Sequence, residues 1–234
     1  MKRILVLFIL LSLAIAPFKA SSINYKNKQL ALIAFNLTIS PNMLEKLNTL
    51  ENHFPDVKNQ KNNKVIKKIK DMTWIVLEER LQREIGMYIL PINAYGKEFD
   101  YDQYEYPNTS INKAIRRGIS KYYMRIDMTI DFEEISKPSV VSSTLKNIID
   151  TTNKTNKVEL PQPKAKVSIT LTTFSEKGIM PIDKFTGNFT AIEPWVFEAP
   201  LLDGLVNDNP FVDTNTLMGL FNTALSSLTI NFTL

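Results

Sequence analysis

Eleven residues from Tyr122 to Phe132 constrain the fold most. Tyr122, Met124, Ile126, Met128, Ile130 and Phe132 alternate with Tyr123, Arg125, Asp127, Thr129 and Asp131. Successive side chains on a strand point to opposite faces, so this pattern writes one apolar and one wet face, as in an antiparallel sheet. A strand of that kind must lay its apolar face on other elements. The chain has to supply a sheet and something to cover it.

The cover is readable as helices. Over Lys64 to Glu84, Val65, Ile69, Met72, Val76, Leu77, Leu81 and Ile85 recur at three- and four-residue steps, which predicts a helix packing one stripe on the sheet. Gly86 is placed to cap its C-terminus, and Met87 to Ile92 reads as a short buried strand. A second helix is expected over Ser110 to Lys121 with Ser110 as N-cap, running straight into the alternating strand. Asn42 to Leu50 offers one or two helical turns. A last helix starts near Asp213 and presents Leu217, Leu220, Phe221, Ala224, Leu225 and Leu228.

Further strands are expected before and after. In Leu30 to Ile39, Ala31, Ile33, Phe35, Leu37 and Ile39 fall on one face while Leu32 and Ala34 make the other partly apolar, the mark of a central strand. Ala165 to Phe174 and about Lys184 to Ile192 form a hairpin across Ser175 to Gly178. Between the strands, the proline-bearing run 133–164 reads as a surface insertion. The expected fold is therefore α/β (α+β): a mixed sheet of about five strands with two to four amphipathic helices, in one domain over residues 21–234.

The amino terminus speaks to compartment. Lys2 and Arg3 precede thirteen apolar or small residues, Ile4 to Ala16, too few for a spanning helix of about 20 and arranged as a secretory signal. Cleavage is expected between Pro17 and Ser22, with Ser21 the first mature residue, and the product is expected to be exported to a bacterial periplasm or cell envelope, with an extracellular destination also open. The chain has no cysteine, so neither disulfides nor a lipidated cysteine enter. Of 28 basic residues, Lys2, Arg3 and Lys19 leave with the signal, and 25 remain against 24 acidic ones. That near-neutral balance gives no case for nucleic-acid binding.

Candidate chemistry is sparse. His53 is the single histidine and lies in a Lys/Asn-rich loop; with no cysteine the chain cannot build a His-rich or thiolate transition-metal site, and His53 reads as a solvated surface group. The seven glycines fall in no phosphate-binding pattern, and no nucleophile elbow occurs. No cofactor is expected.

The best site candidate is the loop from Asn93 to Pro107. Glu98, Asp100, Asp102 and Glu105 could present oxygens to a hard cation, or with Tyr95, Tyr101, Tyr104 and Tyr106 wall a pocket for sugar or peptide. A calcium loop fails on Tyr104 and the missing glycine. Carboxylates converging at about 5–10 Å would permit glycosidic acid/base work, the basis of a hydrolase alternative. Lys58, Lys61, Lys64, Lys67, Lys68 and Lys70 make one basic patch, open to an anionic surface or to plain solvation.

In element order, the run Trp74 to Pro91, the Ser110 to Asp131 helix-to-strand unit, the Lys166 to Thr190 hairpin and the C-terminal helix resemble the small bacterial envelope α/β domain of the CsgG, LpoB and TolB amino-terminal type. The resemblance implies a non-enzymatic module for assembly, regulation or transport, with another envelope protein or a cell-wall component as partner. It transfers no binding residues.

Overall fold

The structure is a computed structural model that describes residues 23–53, 63–133, 162–204 and 215–233. The expected signal, its cleavage site, most of the 133–164 insertion, Lys58, Lys61 and Asp213 lie outside the described residues. Five strands form one mixed sheet in the order β2-β1-β3-β4-β5. They are β1 (Gln29–Ile39), β2 (Tyr88–Ile89), β3 (Tyr122–Phe132), β4 (Ala165–Ser175) and β5 (Gly178–Thr190). β1 lies parallel to both β2 and β3, whereas β3–β4 and β4–β5 are antiparallel. The α-helices among the described residues are α1 (Pro41–Asn48), α2 (Lys64–Arg80), α3 (Ile111–Arg117) and α4 (Leu217–Thr233).

Helix ends follow their local chemistry. Ser110 Oγ accepts from Lys113 N–H at the start of α3, and Gly118 ends that helix at φ 62°. A π-helical turn, Leu81–Ile85, prolongs α2 to Gly86, whose φ of 72° suits the left-handed cap. At α4 the hydroxyl of Thr216 accepts from Gly219 N–H at 3.0 Å, so the cap falls at Thr216, closer to the apolar stripe than the expected start near Asp213.

The main core lies on one face of the sheet. Leu30, Leu32, Phe35, Met124, Ile126, Met128, Ile130, Val167, Ile169 and Leu171 meet the stripes of α1, α2 and α4 there. A smaller cluster on the opposite face joins Ala31, Ile33, Tyr123 and Phe174 to Ala114 of α3 and to Tyr95 and Phe99. The rest of that face stays wet, as the alternation in β3 requires: Arg125, Thr129 and Asp131 are exposed, and Arg125 Nε pairs with Asp127 at 2.9 Å.

The strand β1 corrects the sequence reading. The register steps from Leu32↔Met124 to Ala34↔Arg125, so Ile33 is an extra residue. A β-bulge of this kind shifts the side-chain alternation by one place. Ala31 and Ile33 therefore sit in the small cluster, while Phe35, Leu37 and Ile39 turn to the main core with Leu30 and Leu32.

α4 rides close over β5 at Gly187, where an added Cβ would stand 2.1 Å from the Ala224 carbonyl oxygen and 2.6 Å from Leu228 N. Absence of a side chain sets the helix-to-sheet distance here.

Candidate functional site

The segment 92–109 takes the place of a missing strand. β2 covers only the first residues of the outer edge of β1, through Gln29↔Tyr88 and Leu30↔Ile89. Beyond it, the backbone groups of β1 would be left unpaired inside the fold, which costs about 1–3 kcal/mol per group. The loop, together with Lys70 of α2, satisfies several of them. Leu32 N–H donates to the Tyr95 hydroxyl at 3.0 Å, and Thr109 N–H donates to the Ile33 carbonyl at 2.8 Å. Ala34 bridges Asn108, and the Lys70 ammonium donates to the Phe35 carbonyl at 2.8 Å.

Lys70 is 2% exposed, unusual for a lysine. Its ammonium also pairs with the Asp102 carboxylate and lies 4.7 Å from the Tyr106 ring centroid, 5.2 Å from Phe35 and 5.4 Å from Tyr104. Burial pulls its pKa below the usual lysine range, against the opposing pull of Asp102. The other oxygen of Asp102 accepts from Tyr104 N–H (2.9 Å) and Tyr106 N–H (3.0 Å), which folds the loop into a tight turn. Within it, Glu105 stands at φ 69°. Beside this pair, Asp71 binds both Lys67 and the Tyr106 hydroxyl at 2.9 Å.

The residues singled out in the sequence are thus distributed. Tyr95 is buried in the small cluster against Phe99, whereas Tyr104 and Tyr106 belong to the main core. Tyr101 is 37% exposed and donates to the Ile92 carbonyl. The four tyrosines do not wall a common pocket. Each acid has its own cation: Glu98 with Arg117 at 3.0 Å, Asp100 with Lys113 at 2.6 Å, Asp102 with Lys70, and Glu105 with Lys67 at 3.8 Å. Among the described residues no three His, Asp or Glu side chains are placed to hold a metal. Of the basic patch, Lys67 and Lys70 face this loop.

What the loop and α2 do enclose is an open depression of about 600 Å³, lined by Trp74, Glu78, Pro91, Ile92, Asn93, Gly96, Tyr101 and Glu105. Its size is that of a small-ligand site. Trp74 and Glu78 stand four residues apart on α2 and so share a face. Neither was singled out by sequence, although both had a signal. Lys70, Trp74 and Glu78 follow one another at four-residue steps, so a lysine and a glutamate fall in line with a nearly buried indole.

No family model and no curated protein sequence matches the chain. Among solved structures it is similar to the hypothetical protein CT253 from Chlamydia trachomatis, at 9% identity over 87% of this chain and 98% of that one, with a TM-score of 0.37. A likeness of that extent constrains neither fold nor function. No helix among the described residues is long and apolar enough to cross a membrane.

Proposed function

We propose that the mature chain is an exported, non-enzymatic binding or assembly protein of the cell envelope, and that the depression between α2 and the 92–105 segment is its binding face. The observation that carries this reading is the separate pairing of Glu98, Asp100, Asp102 and Glu105 with four different cations. A glycosidase needs two carboxylates converging on one bond, one of them held protonated. Here the acids instead fasten a loop to two helices, and the loop forms one wall of a concave, partly aromatic surface. The Lys2 to Ala16 signal and the likeness in element order to the CsgG, LpoB and TolB type of domain support an envelope location. The partner is another envelope protein or a cell-wall component.

In-cell photo-crosslinking tests the reading. A photoreactive residue at Asn93, on the rim of the depression, should capture an envelope component, while one at Thr129, on the wet sheet face, should not. Retention of the chain in the cytosol would overturn the location. Glycan or peptide hydrolysis abolished by Glu98→Gln or Asp100→Asn would overturn the non-enzymatic assignment.

A further inference from the structure

We propose that the depression binds an organic cation, an ammonium or guanidinium group on an aliphatic stem, with Glu78 as its anchor. The inference rests on the reading of this depression as the binding face and names the ligand class for it.

Four acids lie on α2 and its π-helical extension. Asp71 pairs with Lys67, Glu79 with Arg83, and Glu84 with Arg80 and Arg83. Glu78 alone has no hydrogen-bond or ion-pair partner among the described residues, although it is only partly exposed. No cation among the described residues compensates this carboxylate, and burial pushes its pKa up.

The lining of the depression contains no lysine or arginine. Its two carboxylates are Glu78 at the wall and Glu105 at the rim; Glu105 lies 3.8 Å from the Lys67 ammonium, which leaves Glu78 as the one without a cation of its own. Glu105 is placed there by its left-handed backbone, a conformation that a non-glycine residue keeps only where its surroundings impose it. The imposing contacts are the turn bonds to Asp102, including Glu105 N–H to the Asp102 carbonyl at 3.1 Å. Anions meet repulsion at such a surface, and a neutral ligand leaves Glu78 unpaired.

The remaining wall suits the rest of such a ligand. Trp74, 7% exposed, and Tyr101, 37% exposed, both line it, and an ammonium or guanidinium group is attracted to an aromatic ring within about 6 Å of its centroid. Pro91 and Ile92 supply apolar surface for methylene groups, and Asn93 adds an amide at the edge. A lysine or arginine side chain of a partner protein carries this chemistry, and so does a free alkylamine.

The two sources separate in one titration series. The chain has two tryptophans, and Trp195 does not line the depression. Indole N–H signals of the full chain are followed by NMR as butylammonium, Nα-acetyl-lysine methylamide or the uncharged Nα-acetyl-norleucine methylamide is added. Both cations should shift the Trp74 signal saturably at about millimolar concentration, with the neutral analogue at least about tenfold weaker. Glu78→Gln should weaken cation binding about tenfold while the unperturbed Trp195 signal reports an intact fold. Tighter binding of the lysine derivative than of butylammonium assigns the site to a partner side chain, and equal binding assigns it to a free amine. Equal affinity for the neutral analogue, or an unchanged Glu78→Gln variant, would overturn the inference. Crosslinking from Asn93 without any cation preference would sink the ligand class and spare the binding face; failure of both would sink both.

Discussion

The ammonium of Lys70 crosses from α2 to the carbonyl oxygen of Phe35, 2.8 Å away, and in doing so replaces the hydrogen bond that a neighbouring strand would have made. Its charge is answered by Asp102, from the loop that closes the same edge.

Removing the cation should therefore cost more than one hydrogen bond. Lys70→Met leaves the Phe35 carbonyl and the Asp102 carboxylate without their partner inside an aromatic surround. We expect a loss of about 3 kcal/mol in urea unfolding, the low end for a broken buried pair because Asp102 keeps some contact with water. The double variant Lys70→Met with Asp102→Asn should recover part of that loss, since no unpaired charge remains.

Gly187 sets the approach of α4 to β5. Gly187→Ala drives a methyl group into the helix backbone at Ala224 and Leu228, and backbone cannot rotate away as a side chain can. A loss of about 3 kcal/mol is expected, at the upper end of overpacking effects. Gly178→Ala, in open space at the start of the same strand, should leave the unfolding midpoint nearly unchanged.

Alkaline stability follows from three buried hydroxyls. Burial pushes Tyr25, Tyr95 and Tyr106 well above the usual tyrosine range, reinforced at Tyr25 by Asp183 and at Tyr106 by Asp71. Each holds its proton in the folded state at a pH where the unfolded chain releases it. The folded state then binds more protons, and stability falls as pH rises above about 10, by about 1.4 kcal/mol per pH unit for each group. Lys70 acts with the opposite sign: its lowered pKa means that the unfolded chain holds the extra proton, so stability rises with pH up to the ordinary lysine range. The Lys70 gain ends near the pH at which the tyrosine loss begins, so above about 10 the tyrosines set the trend. Circular dichroism and tyrosinate absorbance, followed together, should show a cooperative loss of structure coincident with ionisation of these tyrosines.

Glu78→Gln should raise stability at neutral pH by about 0.5 kcal/mol while weakening cation binding. The sign comes from the raised pKa: between the unfolded and folded values the folded state binds the extra proton, so stability declines with rising pH there and stays lower above it. Thermal unfolding at pH 7 and at pH 4 checks this. The advantage of the variant should shrink at the lower pH.

Where one face of an element meets water, the sequence is easy to read. β3 alternates because Arg125, Thr129 and Asp131 face solvent, and its observed limits match those expected. β1 is harder, since Ile33 and Ala34 are both apolar and an inserted residue leaves no trace in a strand buried on both sides. The π-helical turn is invisible for a similar reason: Leu81 and Ile85 fit a straight helical stripe. The acidic loop stood out by composition, but its role depends on Lys67, Lys70, Lys113 and Arg117, which come from two helices on opposite faces of the sheet. Pairings of that range are not encoded in local periodicity. Lys70 did carry a local signal, since Ile66, Thr73, Trp74 and Leu77 surround it on one helical face.

A sheet edge sealed by a hydroxyl, an amide and an ammonium cannot be copied by another chain. Two-residue β2 offers no ladder for a second molecule to extend, and the long run of β1 beyond it is withheld as long as Lys70 and Tyr95 stay seated. A second molecule can reach that run of β1 only after the loop has opened, so the contacts that fix the fold also guard this edge of the sheet.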